Sequence, residues 1–151
     1  SYTGLRIGVS AAKGLCFAND IPLVSVSSLE ILANSSNFNG IIIPTIDARR
    51  DEVYSSAFFQ SNMISKEKPE IIVSESFIEY LKNDNIIIVG NGQFKCEKII
   101  KKHKKIFFDK NIINPSSKYM PELSYRKLIN NEFEDLAYFE PTYLKEFKTN
   151  L

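Results

Sequence analysis

Few side chains of this sequence could act together as nucleophiles, general acids or metal ligands. The 151 residues contain one histidine, His103, and two cysteines, Cys16 and Cys96. His103 lies among lysines with no partner at ligand spacing, and the two cysteines lie on predicted helices without metal or disulfide spacing. These residues argue against both a metal-dependent site and a Ser-His-acid arrangement.

Charged residues near residue 50 form a second candidate site. Asp47 and Glu52 flank a tight turn that carries Arg49 and Arg50. The carboxylates could work as an acid–base pair, but carboxylates at a hairpin also serve as surface charges matched to such arginines. Arg49 and Arg50, together with Arg6, could contact a phosphate or a partner's carboxylate; the alternative is that all three are ordinary surface arginines.

Gly90 and Gly92 lie where a predicted strand turns into a helix. Free N–H groups at such a turn can hold an anion, so both glycines are candidates for a nucleotide or other anion contact. The turn lacks the lysine and serine of a Walker motif. The glycines could equally meet a local backbone requirement.

The composition is that of an ordinary globular protein. The apolar fraction is 44%, the charged fraction is 25% and the net charge is +1. A core is therefore feasible, and there is no overall charge that would drive binding to nucleic acid or an anionic membrane. No apolar run approaches the ~20 residues of a membrane helix. We expect a soluble cytoplasmic protein with reduced cysteines.

A predicted helix over residues 3–19 organises the chain. Thr3 is its predicted N-cap, and Asn19, Asp20 and Pro22 supply the stop. Apolar residues recur at helical spacing with small residues beside them. Since an interior glycine such as Gly8 costs a helix about 1 kcal/mol relative to alanine, close approach of another backbone is indicated, within the chain or from a second subunit. The residues predicted at a subunit contact are Gly4, Leu5, Gly8, Val9, Ala12 and Cys16.

The remaining elements alternate between strands and helices, which predicts an α/β class. Ser27 is the predicted N-cap of a second helix that runs to about residue 36, with Glu30 completing a capping box. Strands are predicted at residues 21–26, 41–48, 52–60, 70–74, 85–89 and 106–108. Further helices are predicted at residues 76–82, 93–103 and 115–131, and an extended tail at 138–147. Pro121 should kink the last helix or mark its first turn. The basic residues 101–105 are placed at a helix C-terminus, where cations suit the dipole.

Several stretches, taken in order, closely resemble one bacterial family. They are SYTGLRIGVSAAKGL (1–15), IPLVSVSSLE (21–30), IDARRDEVY (46–54), VGNG (89–92) and EPTYL (140–144). The family is that of the tRNA threonylcarbamoyladenosine biosynthesis protein TsaB, also called YeaZ. Tyr2 stands where the family usually has Phe, and Asp51 where it has Gly. The chain starts without an initiator methionine and without the family's opening strands, so we expect an N-terminal piece to be missing.

The resemblance implies an actin-like, sugar-kinase-like α/β fold. Residues 1–39 would be the remainder of its first domain and 40–114 its second α/β domain. Residues 115–151 would be a C-terminal helix and tail packing back toward the first. Any sheet edges left open by the absent strands should be covered by the missing piece or by a neighbouring molecule.

The resemblance also implies a non-catalytic scaffold subunit that pairs, through the glycine-bearing helix, with the catalytic paralogue TsaD. A small ATPase, TsaE, joins the complex, and tRNA is bound indirectly through it. We expect no cofactor in this chain, although the assembled complex could bind ATP or ADP. The paralogue's two metal-binding histidines would fall on Ser28 and Leu32, which cannot replace imidazole.

Two other classes of function stay open. One is a metallopeptidase-like (glycoprotease-like) or ATP-dependent enzyme of the same fold. The other is a homodimeric protein-binding module, since the glycine ridge would serve self-association equally well.

Overall fold

The computed structural model describes residues 2–82 and 84–145, without the side chain of Tyr2. The described residues fall into two compact units. One lies within Ser27–Tyr119, and the other combines parts of Ser1–Val26 and Met120–Leu151. The three-part domain division made from the sequence stays a prediction.

The unit within Ser27–Tyr119 is built on a five-stranded mixed sheet. Its strands are β1 (Ile41–Asp47), β2 (Glu52–Phe59), β3 (Asn62–Ile71), β4 (Ile86–Val89) and β5 (Ile106–Phe108). Their order across the sheet is β3-β2-β1-β4-β5. The β1–β2 and β2–β3 pairs are antiparallel, whereas β4 runs parallel to both β1 and β5.

Helices cover the sheet, and β4 shows why both faces must be covered. All of Ile86–Val89 is buried. Side chains alternate along a strand, so Ile86 and Ile88 belong to the core cluster with Cys96 of helix α3 (Gln93–Ile99). The other two residues pack with Leu32 of helix α2 (Ser28–Asn34). The continuous apolar run of β4 is therefore a central strand, as its sequence predicts.

Local sequence signals explain several element ends. Ser27 caps α2, since its hydroxyl accepts from the Leu29 N–H at 3.1 Å. The predicted hairpin between β1 and β2 is confirmed, with Arg49 and Arg50 both in the left-handed region at φ 66° and 45°. Pro121 lies in the first turn of helix α4 (Met120–Ile129), after a short 3-10 helix at Ser117–Tyr119.

Several predicted elements differ from the structure. The third strand covers Asn62–Ile71 rather than residues 70–74, and the helix predicted at 76–82 is a 3-10 helix at Ile78–Lys82. The helix predicted to reach residue 103 ends at Ile99, because Ile100 is extended (ψ 134°) and buried. Residues 21–26 form no strand, and only Leu23 makes an isolated bridge, to Glu134. The tail predicted to be extended over residues 138–147 forms no strand between 138 and 145, which contain a turn and a bend, and 146–147 lie outside the described residues.

The second unit contains α1 (Tyr2–Asn19), α4 and the irregular segments that follow each. Helix α1 begins before Thr3, so the predicted cap lies inside the first turn. The buried apolar side chains among this unit's described residues are Cys16, Leu23 and Leu123. Polar contacts add further ties within the unit.

These ties come largely from lysines. Lys13 on α1 donates to the carbonyl oxygens of Ala137 (2.9 Å) and Phe139 (3.1 Å). Lys127 on α4 donates to the Ser25 carbonyl at 2.9 Å, and the Ser25 hydroxyl donates to the Glu134 carboxylate. The contacts join each helix to an irregular segment of the same unit.

Candidate functional site

The residues predicted at a subunit contact differ in burial along helix α1. Gly4, Leu5 and Gly8 are exposed, with Leu5 at 47%. Val9 and Ala12 are half-buried. Cys16 is buried, and its sulfur lies 3.7 Å from the Pro22 carbonyl oxygen. The predicted contact residues are therefore exposed near the start of α1 and become buried in their own unit toward its end. Their role in a subunit contact stays a prediction.

A second apolar stripe of α1 faces outward. It shares Gly4 and Gly8 with the predicted contact, and its other members were missed from the sequence. At about 100° per residue, its members fall within an arc of about 100° that carries no charged side chain. Ile7 and Leu15 are each 65% exposed. The residues of this outer face are Gly4, Ile7, Gly8, Ala11, Leu15 and Ala18, all of them exposed. The inner stripe of α1, which contains Val9, Ala12 and Cys16, has the same helical spacing. Only burial distinguishes the two stripes.

No described residue lies close to the missing side chains of the interior glycines of α1. A Cβ built on Gly8 or Gly14 would meet no atom within 4 Å. Their lack of a side chain is therefore not required by packing inside this fold, although each costs the helix about 1 kcal/mol relative to alanine. Of the two origins considered for a close approach, residues 2–82 and 84–145 of the chain itself do not supply one at Gly8.

The turn at Gly90 and Gly92, unlike the glycines of α1, is closely packed against other residues. A Cβ on Gly90 (φ +91°) would lie 2.1 Å from the Thr45 carbonyl oxygen, and one on Gly92 would lie 2.9 Å from the Thr45 Cβ. The Gly90 N–H donates to the Ile112 carbonyl (2.8 Å) and the Gly92 N–H to the Thr45 carbonyl (3.2 Å). Packing and backbone hydrogen bonds thus account for both glycines, and the anion contact stays a prediction.

Lys95 organises the charges near residue 50, a role that the sequence did not indicate. Its ammonium group lies 2.8 Å from the Asp47 carboxylate and 2.8 Å from the Glu52 carbonyl oxygen. The pKa of Asp47 is lowered, chiefly by the hydrogen bond from Lys95, against a smaller opposing effect of burial. The Arg49 N–H donates to the same carboxylate at 2.7 Å. Asp47 is thus an ionised partner of a helix lysine rather than a proton donor at neutral pH.

Arg6 faces the side of α1 away from the outer face. Its Nε donates to the Tyr143 hydroxyl at 3.2 Å, and its guanidinium lies 5.9 Å from the Tyr143 ring centroid. Arg49 and Arg50 are exposed at the hairpin. The three arginines are therefore not brought together in one group by either unit, and their anion contacts stay predictions.

The cysteines and the histidine do not converge. Burial raises the pKa of the Cys96 thiol to about 12, which makes it a packing residue rather than a nucleophile. Among the residues that the structure describes, no group of three or more His, Cys, Asp or Glu side chains could hold a metal ion. Leu32 has no exposed surface, while Ser28 is exposed at the start of α2. Within the same residues, no helix is long and apolar enough to cross a membrane.

Comparison with known proteins gives consistent matches over nearly the whole chain. A family model described as "TsaD: tRNA N6-adenosine threonylcarbamoyltransferase" matches residues 1–148. Curated relatives bear the name tRNA threonylcarbamoyladenosine biosynthesis protein TsaB. The protein of Bacillus subtilis (strain 168) is 32% identical over 96% of this chain and 65% of its own length. That of Haemophilus influenzae is 29% identical over 96% and 66%. That of Buchnera aphidicola subsp. Baizongia pistaciae is 30% identical over 97% and 69%.

Solved structures agree on the fold. One is a Pseudomonas aeruginosa protein described as uncharacterised with similarity to peptidase YEAZ. It has a TM-score of 0.78 at 23% identity and is matched over 96% of this chain and 69% of its own. A second, titled YeaZ from the same organism, has a TM-score of 0.75 at 23% identity, over 95% and 69%. The expected actin-like α/β fold is confirmed. The chain spans 65–66% of the length of the first two curated relatives above.

Proposed function

The chain belongs to the TsaB (YeaZ) family, and we propose that it acts as a cytoplasmic scaffold subunit in the formation of threonylcarbamoyladenosine in tRNA. In this proposal it docks onto a catalytic paralogue, TsaD, and orders it for catalysis. The names of the curated relatives support the pathway. The match to the TsaD family model supports the kinship of the two proteins.

The outer face of α1 is the observation that carries the docking proposal. It presents Ile7 and Leu15, each 65% exposed, beside glycines whose missing side chains leave open space. Exposed apolar groups of this kind are unfavourable in water and are buried in stable complexes. Small residues along the face let a second helix approach closely, which increases the apolar area that the two helices bury.

Ser28 and Leu32 stand at the positions that correspond to the paralogue's two metal-binding histidines. Their residue types support a subunit without metal chemistry of its own. Leu32 is a fully buried core residue, and Ser28 offers only a hydroxyl. Neither side chain can supply the neutral imidazole that a transition metal prefers. We assign the group transfer to the paralogue. ATP or ADP is bound by the assembled complex, in which a small ATPase, TsaE, also takes part.

The experiment uses cells depleted of the protein and supplied with a copy expressed from its gene at full natural length. The copy carries either Gly8→Leu or the control Ser10→Leu, which places the same side chain about 200° away on α1. Mass spectrometry of digested tRNA gives the threonylcarbamoyladenosine content. We expect wild type and Ser10→Leu to restore the modification and Gly8→Leu to fail. Full modification in the depleted cells would refute the pathway, and full rescue by Gly8→Leu would refute docking through this face.

A homodimer is tested separately. Sedimentation of the purified protein, alone and with the paralogue, distinguishes self-association from hetero-association. A stable homodimer that Gly8→Leu breaks, without binding to the paralogue, would favour a self-associating module over the scaffold.

A further inference from the structure

The basic residues 101–105 lie outside the helix to which the sequence assigned them. Helix α3 ends at Ile99, and Ile100 is extended with only 7% of its surface exposed. The helix dipole acts within the last turn, which contains Lys98 but not the residues beyond Ile100. The dipole therefore does not account for Lys-Lys-His-Lys-Lys at this position. The five consecutive basic residues concentrate positive charge at one place in a chain of net charge +1.

Backbone contacts hold this basic loop (residues 101–105) in place at both ends. The Lys101 N–H donates to the Ser74 carbonyl at 3.0 Å, and the Lys105 carbonyl accepts from the Ile86 N–H of β4 at 2.8 Å. The Lys105 ammonium group also donates to the Leu81 carbonyl at 3.1 Å. A loop fixed in this way loses little backbone entropy when it binds a ligand.

The charges of the basic loop face solvent. Lys101, Lys102, His103 and Lys104 are exposed, and within the described part of the chain no ion pair involves the three lysines. The Nδ1 atom of His103 accepts from the Lys105 N–H at 3.2 Å, so its Nε2 can donate outward.

The acidic side chains around the basic loop are few. Glu79 lines a cavity of about 570 Å³ together with His103, Lys104 and Lys105. Glu97 lines a second cavity of about 380 Å³ on the loop, and its carboxylate is already paired with Lys110 at 3.0 Å. Basic side chains therefore outnumber acidic ones in the lining of both cavities, although the protein as a whole is almost neutral.

We propose that the basic loop binds the phosphate backbone of an RNA chain. This inference rests on the proposed function and adds a direct contact to tRNA, where the sequence indicated only an indirect one. Ammonium groups are compact charges that suit phosphate oxygens. The loop carries no Phe, Tyr or Trp, and its one ring, that of His103, could only stack on a base, which does not distinguish bases. The contact would therefore fix the position of the RNA without reading its sequence.

An anionic membrane fits the basic loop less well. Basic segments that bind a membrane by insertion carry apolar side chains that enter below the headgroups. Residues 101–105 contain none, and the flanking Ile100 is buried while Ile106 is half-buried. A fixed loop of clustered cations without an apolar anchor matches a folded polyanion better than a lipid surface.

The test uses the full-length protein reconstituted with its catalytic paralogue and unmodified tRNA as the probe. One variant combines Lys101→Gln, Lys102→Gln and Lys104→Gln, which leaves Lys105 in place. The control variant removes three exposed lysines elsewhere in the same unit, through Lys66→Gln, Lys68→Gln and Lys118→Gln. Fluorescence anisotropy gives the affinity for tRNA at a series of salt concentrations. Each lost phosphate contact should lower the slope of log K against log[salt] by about 0.7–0.9.

We expect the loop variant to bind tRNA at least about tenfold more weakly than wild type at 0.1 M salt, with the slope reduced by about 2. The control should stay within about twofold. Equal losses in the two variants, or no loss in the loop variant, would overturn the inference. Binding of the wild-type protein to vesicles of anionic phospholipid or to polyglutamate, with no effect of the loop variant on tRNA, would overturn it as well. Co-purification of the paralogue with the same variants separates this result from the docking proposal, because the loop variant should keep its partner whether or not it binds RNA.

Discussion

Gly90 and Gly14 are glycines under opposite constraints, and the pair allows a direct comparison. Alanine at Gly90 would need φ +91° and a Cβ 2.1 Å from a carbonyl oxygen, whereas alanine at Gly14 would meet open space in a helix. We expect Gly90→Ala to lower the free energy of unfolding by at least about 2 kcal/mol. Gly14→Ala should raise it by about 0.5–1 kcal/mol. Urea denaturation of the two variants measures both changes.

Two results would contradict these predictions for Gly90 and Gly14. Unchanged stability of Gly90→Ala would mean that the turn relaxes away from Thr45. A loss in Gly14→Ala would mean that this side of α1 is covered by a neighbour in solution.

The Asp47–Lys95 pair gives the protein part of its acid sensitivity. Because the folded state lowers the pKa of Asp47, the pair contributes stability above the unfolded pKa, and this contribution is lost as the pH falls from about 5 through the folded value. The Asp47 side chain is 48% exposed, so solvent screening keeps the contribution below about 1 kcal/mol. Asp47→Asn should therefore reduce the loss of stability between pH 7 and pH 3 by up to that amount.

Lys95→Met supplies the check on this assignment. It should reduce the acid-induced loss much as Asp47→Asn does, and the double variant should show little further change. Additive effects of the two substitutions on the pH dependence would show that Asp47 draws its lowered pKa from another source.

At the scale of elements, the cap of α2 is a clear test of local sequence signals. The Ser27 hydroxyl accepts from the Leu29 N–H and also donates to the Glu67 carboxylate, while the neighbouring Ser28 is exposed. We expect Ser27→Ala to cost about 1–2 kcal/mol of the free energy of unfolding. Ser28→Ala, as the matched control, should stay within about 0.5 kcal/mol. Equal thermal melting shifts for the two variants would contradict the assignment of the cap.

Some elements could be predicted because their signals are local. The apolar run of β4, the hairpin after β1 and the serine cap of α2 depend on residues close together in sequence. β3 was largely missed because its residues are mostly exposed and polar, as suits the edge strand that it is.

Other elements depend on distant contacts. Helix α3 ends early because Ile100 is buried and the Lys101 N–H finds the Ser74 carbonyl, a partner that no local pattern shows. Residues 21–26 have strand-like composition but pair only through Leu23, with Glu134. In both places tertiary contacts override local preference.

For the whole molecule, the ordered family motifs predicted the actin-like fold, which the solved relatives confirm. The candidate site was predicted less well. Helix α1 was identified, but the sequence contains two apolar stripes of similar spacing, and only the burial of Val9, Ala12 and Cys16 shows which one faces its own unit. Likewise, Gly90 owes its identity to Thr45 on β1, which depends on the pairing of β1 with β4.

The most direct test of the scaffold account is the affinity of the full-length protein for its catalytic paralogue, measured by calorimetry for wild type, Gly8→Leu and Ser10→Leu. A leucine forced into a close helix contact costs about 1–3 kcal/mol, so Gly8→Leu should bind about 5- to 150-fold more weakly. Its free energy of unfolding should be unchanged or higher, since leucine favours a helix over glycine. Ser10→Leu should bind like wild type. Wild-type affinity of Gly8→Leu would contradict docking through the outer face of α1.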